Sequence, residues 1–178
     1  MRDIAKGTAI DNHGLITDGE YICASTSTSY AVIPANALAS DVLCGTHDWT
    51  LEIAFKAPAQ VTKTGRLFGL DEIAPTYRLD VYEVITTGQL GVGGMIHGII
   101  PVPTHNADNY FKLAYSLTNG FTWQVNDTAN SAAIDDIASA RNTRTRNNAI
   151  LAKWRNGQAS EFSPDYKIKF LRISNIVR

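Results

Sequence analysis

The sequence is poor in the residues that build metal centres and disulfide frameworks. Only two cysteines, Cys23 and Cys44, occur among its 178 residues. They form no closely spaced pair and have no accompanying histidine pattern of the kind that zinc sites require. A chain of this length can bury enough apolar surface to fold without a metal or a disulfide. We therefore expect no cofactor and two small buried thiols, with a Cys23–Cys44 disulfide as the alternative.

An excess of charge and long apolar runs are missing as well. The chain has 16 Lys and Arg against 17 Asp and Glu, a formal net charge of −1, so its surface is not built mainly to neutralise phosphates. The first residues lack the apolar core of a signal peptide, and no stretch of about 20 apolar residues occurs. We expect neither nucleic acid nor a membrane as partner, and synthesis in the cytoplasm.

Short segments with alternating apolar residues are present instead. The clearest is Trp49–Phe55, in which every second residue is large and apolar, the period of a half-buried strand. Tyr110–Leu117 and Phe121–Asn126 repeat this pattern on either side of Thr118-Asn119-Gly120. Asn-Gly tolerates the positive φ of a tight turn, so the two segments are predicted to form an antiparallel hairpin.

Further short segments have the composition of strands and are separated by turn signals such as Thr87-Gly88. In total, about ten short strands at roughly ten-residue spacing favour an all-β sandwich or barrel. The additional candidates are Tyr21–Cys23, Tyr30–Ile33, Arg66–Leu70, Tyr77–Val84, Gln89–Val92, Ala149–Trp154 and Ile168–Val177.

Two segments depart from simple alternation. In the last candidate strand, Ile168 and Phe170 fall on one face but Leu171 and Ile173 on the other, and a bulge near Phe170 would reconcile them. Ser131–Ala140 has apolar residues at helical spacing, so we expect there at most one short helix or an irregular loop.

In order, these pieces resemble the laminin-G-like members of the concanavalin-A-like lectin and glucanase superfamily. The closing Ile168-Lys-Phe-Leu-Arg-Ile-Ser-Asn175 is similar to the final strand of that family, and Val125-Asn126-Asp127 stands where the family often has Val-Asn-Gly. The resemblance implies one domain over residues 1–178, a two-sheet antiparallel jelly-roll sandwich with its core at about residues 16–177. The other matching pieces are Tyr30-Ala-Val-Ile-Pro34, Asp48–Lys56, Gly65-Arg-Leu-Phe-Gly69 and Gln89–Gly93.

The superfamily includes glucanases, so catalytic carboxylates deserve a search. A retaining glycosidase needs two carboxyl groups about 5–5.5 Å apart, and on a strand this demands even spacing. The nearest pair, Asp80 and Glu83, has odd spacing, and Glu52 is alone on its strand. No Gly-x-Ser-x-Gly elbow occurs either. These observations predict a protein that is not an enzyme and has no catalytic residues.

The rim loops supply the candidate ligand-binding residues, because the resemblance implies binding of sugars, calcium or proteins there. His105, Asn106 and Asp108 offer hydrogen-bonding groups within one such loop. Calcium requires six to eight oxygens, which this loop does not provide alone, so we expect no metal and a plain solvated loop, with calcium as the alternative. Trp154 is a candidate aromatic platform for a sugar, although a core position is the more usual place for tryptophan.

Two functions are compatible with these features. The first is a non-catalytic structural protein of a virion, such as a capsid decoration or tail protein, acting as a homo-oligomer or through capsid and tail proteins. The alternative is a carbohydrate-binding module that recognises a cell-surface glycan or a polysaccharide.

Overall fold

The computed structural model describes residues 10–34, 48–70, 80–84, 87–93, 103–132, 147–155 and 157–175. These residues form fifteen strands, and none of them is helical. Within them, no helix is long and apolar enough to cross a membrane. The strands are β1 (Asp11–His13), β2 (Leu15–Asp18), β3 (Tyr21–Ala24), β4 (Tyr30–Ile33), β5 (Trp49–Lys56), β6 (Gly65–Leu70), β7 (Asp80–Glu83), β8 (Leu90–Gly93), β9 (Asp108–Ser116), β10 (Gly120–Val125), β11 (Thr128–Ala132), β12 (Asn148–Ile150), β13 (Lys153–Arg155), β14 (Gln158–Ser160) and β15 (Lys167–Ser174).

The strands make two large sheets and one small hairpin. The six-stranded sheet has the order β1-β4-β12-β6-β7-β8, and the seven-stranded sheet has the order β11-β10-β9-β5-β15-β3-β2. Strands β13 and β14 pair with each other. All pairings among the described strands are antiparallel. The two large sheets pack together as an all-β sandwich, which confirms the predicted fold class at this level.

The core lies between the inner faces of the two sheets and follows the alternation in the sequence. Trp49, Leu51, Ile53 and Phe55 of β5 are fully buried in it, as the period of two predicts. Burial of a large apolar side chain contributes about 1.5–3 kcal/mol. These four side chains therefore stabilise the centre of the seven-stranded sheet. The residues between them, Thr50, Glu52 and Ala54, lie on the opposite face of the sheet.

The predicted hairpin of β9 and β10 is confirmed. Phe121 pairs with Tyr115 and Trp123 with Leu113, and Gly120 follows the turn with φ of +79°, a conformation that favours glycine. Leu117 is the exception. It was expected on the buried face with Tyr115, but it lies in the turn and is exposed.

The irregularity predicted near Phe170 is a β-bulge. The pairing of β15 with β5 shifts register between Ile168 and Phe170, leaving Lys169 as the extra residue. Ile168 therefore faces the core while Phe170 faces away from it, and Leu171 returns to the core side. The bulge decides which side chains of β15 reach the outer face.

Some predictions fail around the β12 region. Ala149–Trp154 is not one strand, because the chain turns between β12 and β13, where Leu151 has φ of +59°. Trp154 lies in the β13–β14 hairpin and is half-buried rather than in the core. The predicted helix Ser131–Ala140 is wrong at its start, since Ser131 and Ala132 belong to β11, and the rest of it lies outside the described residues.

The cysteine prediction is confirmed where the structure describes it. Cys23 is buried and is a free thiol, and burial raises the pKa of this thiol. Cys44 lies outside the described residues.

Candidate functional site

The side of the seven-stranded sheet that faces away from the core carries a compact set of charged and aromatic residues. We call this set the seven-strand face and define it by Glu52 of β5, Tyr110 and Lys112 of β9, and Phe170 and Arg172 of β15. The three strands are adjacent in the sheet, so residues of different strands become direct neighbours. The alternation that buries Trp49–Phe55 places Glu52 here.

Register places these five residues in two rows across the strands. Glu52 pairs with Lys112 on one side and with Arg172 on the other, so an anion lies between two cations. Ala54 pairs with Tyr110 and Phe170 in the same way. Directly opposite residues have Cβ atoms about 4.5–5.5 Å apart, so the members of each row are direct neighbours.

Glu52 is a buried carboxylate that is held by two neighbours. Arg172 Nε donates to its Oε2 at 2.5 Å, Arg172 Nη2 donates to its Oε1 at 2.6 Å, and the Tyr110 hydroxyl also donates to Oε1 at 2.6 Å. The Glu52 side chain is only 4% exposed, whereas that of Arg172 is 48% exposed. This bidentate pair fixes the orientation of the guanidinium group while leaving it open to solvent.

The electrostatic consequences follow from the same contacts. The hydrogen bonds to Glu52 raise the pKa of Arg172. Burial and the hydrogen bond to Glu52 raise the pKa of Tyr110 to about 12. Near neutral pH, Arg172 is therefore a cation and Tyr110 a neutral hydroxyl that donates a hydrogen bond.

An aromatic pair occupies the second row. The rings of Tyr110 and Phe170 have centroids 6.4 Å apart and are tilted by 49°, with the small side chain of Ala54 between them. Phe170 is 40% exposed, one of the few large apolar side chains exposed among the described residues. An exposed aromatic ring beside hydrogen-bonding groups can cover an apolar ligand face.

Asp108 extends the same sheet face towards β3. The Tyr21 hydroxyl donates to Asp108 Oδ1 at 2.5 Å, and Lys169 Nζ lies 3.4 Å from Oδ2. The hydrogen bond raises the pKa of Tyr21 to about 12 and lowers the pKa of Asp108. Asp108 therefore serves as an ionised acceptor that ties β9 to β3 and to the bulge of β15.

A second group of polar side chains surrounds Glu83 of β7. Glu83 of β7 is fully buried, the Tyr166 hydroxyl donates to its Oε2 at 2.6 Å, and His105 Nε2 lies 2.7 Å from its Oε1. Burial and the bond to Glu83 raise the pKa of Tyr166 well above its ordinary value. That direction opposes use of Tyr166 as an activated nucleophile.

The residues predicted to form the binding loop contact different sheets of the sandwich. His105 contacts Glu83 on the six-stranded sheet, whereas Asp108 contacts Tyr21 on the seven-stranded sheet. Asn106 is exposed, with φ of +56°, and its backbone N–H donates to Ala57 O at 3.1 Å. The contacts of these loop residues are therefore divided between the two sheets.

The remaining predictions concern Trp154 and a metal site. Trp154 lies on the separate β13–β14 hairpin, where it pairs with Ala159. In the part of the chain that the structure describes, no three His, Cys, Asp or Glu side chains are grouped so that they could hold a metal ion.

The residues that the sequence analysis missed are Arg172, Tyr110 and Phe170. One signal was present, namely the charged Glu52 in the middle of the apolar strand β5, because a charge in such a place usually has a partner. Nothing in the local sequence shows that this partner is Arg172, which lies 120 positions away.

Comparison of the chain with known proteins adds the following findings. No protein-family model matches the sequence, and no curated protein matches it significantly. Solved structures of sialidases share its fold. Trypanosoma rangeli sialidase in complex with sialic acid matches over 95% of this chain with a TM-score of 0.68 at 8% identity. A variant of NanB sialidase from Streptococcus pneumoniae matches over 94% with a TM-score of 0.60 at 14% identity.

These matches concern the fold alone, because the sequence identities are low. The chain spans about a quarter of the length of these sialidases, 27% of the first and 26% of the second.

The matches also correct two predictions from the sequence. The assignment to a virion component is wrong, because the fold is shared with sialidases. The prediction that the chain is not an enzyme is likewise overturned, because those neighbours are glycosidases. The spacing of Asp80 and Glu83 tested only one arrangement of catalytic carboxylates, and sialidases are among the glycosidases that do not follow it.

Proposed function

We propose that this protein is a carbohydrate-binding β-sandwich and that the seven-strand face is its ligand-binding surface. The observation that carries the proposal is the exposed Phe170 ring beside Tyr110, two residues before Arg172 on β15, whose guanidinium group is fixed by Glu52. Sugars present an apolar ring face together with hydroxyl groups at its edge, and this surface offers a partner for each.

The arrangement is suited to sugars because its polar groups are held in place before a ligand arrives. Glu52 orients Arg172 and Tyr110 through short hydrogen bonds. Groups already ordered in the free protein lose less conformational entropy on binding. The outer part of Arg172 and the ring of Phe170 are then available to a ligand at little cost.

The fold supports the proposal as an analogy. We further infer that the sandwich is a jelly roll of the concanavalin-A-like kind, as the sequence resemblance implies. The sialidases that share the fold are proteins that act on carbohydrate, and sialic acid is bound in one of them. Fold similarity alone does not transfer function, so the residues of the seven-strand face carry the proposal.

The test is a glycan array followed by calorimetric titration of the best ligand. We expect Phe170→Ala to weaken binding about tenfold, equivalent to about 1.4 kcal/mol, through loss of the ring contact. Leu117→Ala is the matched control, because Leu117 is also an exposed apolar residue but lies in the β9–β10 turn. It is expected to leave the dissociation constant unchanged.

Two outcomes would contradict the proposal. One is the absence of binding to any glycan on the array by the folded wild-type protein. The other is glycan binding that Phe170→Ala and Leu117→Ala affect equally, which would place the binding surface elsewhere. Release of sugar during the titration would reveal hydrolysis in the same experiment.

A further inference from the structure

The charges of the seven-strand face narrow the class of carbohydrate, and this inference rests on the proposed function. Glu52, the anion of the row, is buried, while the cation Arg172 is half exposed. Lys112, on the other side of Glu52, is partly exposed. The exposed part of this row therefore carries the positive charges of Arg172 and Lys112, while the negative charge of Glu52 is buried.

Arg172 has donors to spare in this arrangement. A guanidinium group has five N–H donors, and Glu52 receives bonds from Nε and Nη2. Within the described residues, Arg172 has no acceptor other than Glu52. The remaining donors form a planar edge whose direction the pair with Glu52 fixes, and such an edge matches the two oxygens of a carboxylate.

The neighbouring aromatic row sets the place of the sugar ring. Phe170 is two residues before Arg172 on β15, and after the bulge both side chains lie on the outer face. Residues two apart on a strand are about 6.5–7 Å apart, a spacing that one sugar residue and its substituents can span. One acidic sugar can therefore contact both side chains.

We propose that the ligand of the seven-strand face is an acidic glycan, whose carboxylate pairs with the unused donors of Arg172 while its ring lies against Phe170 and Tyr110. Neutral glycans can use the aromatic contact but leave the guanidinium edge without a partner. Acidic glycans are therefore bound in preference to neutral ones.

The experiment compares matched pairs of probes that differ only in the acidic group or its charge. The pairs are oligogalacturonate with its methyl ester and sialyllactose with lactose, each titrated into the wild-type protein and its variants. We expect at least one acidic member to bind at least tenfold more tightly than its neutral partner. Arg172→Gln is expected to bring that ratio close to one.

Two further variants keep the test decisive. Arg172→Lys retains the charge but not the planar fork, and we expect an intermediate ratio; it also serves if Arg172→Gln fails to fold. Lys63→Gln removes an exposed cation in the β5–β6 connection, outside the seven-strand face, and the ratio should stay at the wild-type value.

The outcomes distinguish this inference from the proposed function. Equal binding of both members of each pair, or a preference that survives Arg172→Gln, overturns the acidic specificity while carbohydrate binding stands. If Lys63→Gln also lost the preference for acidic glycans, that preference would reflect the net charge of the protein rather than Arg172. This result would also overturn the inference. Absence of binding to every probe, acidic or neutral, would contradict the proposed function itself.

Discussion

Two buried carboxylates, Glu52 and Glu83, each accept a hydrogen bond from a tyrosine but differ in their other partner. Each accepts a hydrogen bond of 2.6 Å from a tyrosine, Tyr110 for Glu52 and Tyr166 for Glu83. The second partner differs. Glu52 pairs with the half-exposed cation Arg172, whereas Glu83 contacts the less exposed His105.

The difference shows how one kind of contact can serve stability in one place and recognition in another. Glu83 and Tyr166 are both buried, so their hydrogen bond lies within the protein, while His105, which also contacts Glu83, is 33% exposed. Glu52 is buried beneath a guanidinium group that continues outward to solvent, so the order it imposes is available to a ligand. Four predictions test this contrast, in order of decreasing effect on the free energy of unfolding.

Loss of the Glu83 carboxylate should have the largest effect. Glu83→Ala leaves the buried Tyr166 hydroxyl without its acceptor and creates a cavity, so we expect a loss of about 3 kcal/mol or more. Glu83→Gln keeps the size and one acceptor oxygen and should cost about 1 kcal/mol. Urea unfolding measures both. Equal values for the two variants would show that the hydrogen bond to Tyr166 contributes little.

Close packing beneath Tyr166 gives the second prediction. A Cβ added at Gly65 would clash with the Tyr166 ring, so Gly65→Ala must displace that ring and should cost about 2 kcal/mol. The control is Gly19→Ala, where a Cβ meets nothing within 4 Å although φ is +60°; it should cost about 1 kcal/mol. A smaller loss for Gly65→Ala than for this control would contradict the packing argument.

The corresponding change on the seven-strand face should be milder for stability. Arg172→Gln removes the bidentate partner of the buried Glu52, but Tyr110 still donates to this carboxylate, so we expect a loss of about 1.5 kcal/mol. The same variant should have a large effect on acidic-glycan binding. A loss as great as that of Glu83→Ala in urea unfolding would erase the contrast between the two carboxylates.

Alkaline pH gives the smallest effect. The pKa of Tyr110 rises from 10.0 to about 12 on folding, and that of Tyr166 is also raised. Above pH 10 the unfolded chain therefore loses phenolic protons that the folded protein retains, so stability is full below this pH and falls as pH rises towards the folded values.

The measurement is the urea midpoint at about pH 9 and about pH 11. Tyr110→Phe and Tyr166→Phe should each lose less stability over this interval than the wild-type protein, and by similar amounts, because both folded phenols stay protonated throughout it. An unchanged pH dependence in either variant would show that its tyrosine keeps an ordinary pKa in the folded state.

Much of the local structure was predictable because strand periodicity is written into neighbouring residues. The alternation of Trp49–Phe55, the turn before Gly120 and the irregularity next to Phe170 all appear in the structure. The break between β12 and β13 was not predictable in this way, because Leu151 adopts a positive φ that its residue type does not favour.

The candidate site was predictable only in fragments. Asp108 does lie on the outer side of the seven-stranded sheet, but His105, three residues earlier, contacts the other sheet. A loop that connects two sheets distributes its side chains between them. Neighbours in sequence therefore have different contact partners.

The sequence by itself determined which segments are strands and which of their side chains are buried, because both depend on local alternation and on the hydrophobic effect. The tertiary structure alone decided which charges meet. Arg172 reaches Glu52 across 120 positions and Tyr166 reaches Glu83 across 83. Such pairings depend on strand order, on register and on the bulge at Lys169, since a shift of one residue would turn Phe170 and Arg172 to the opposite face.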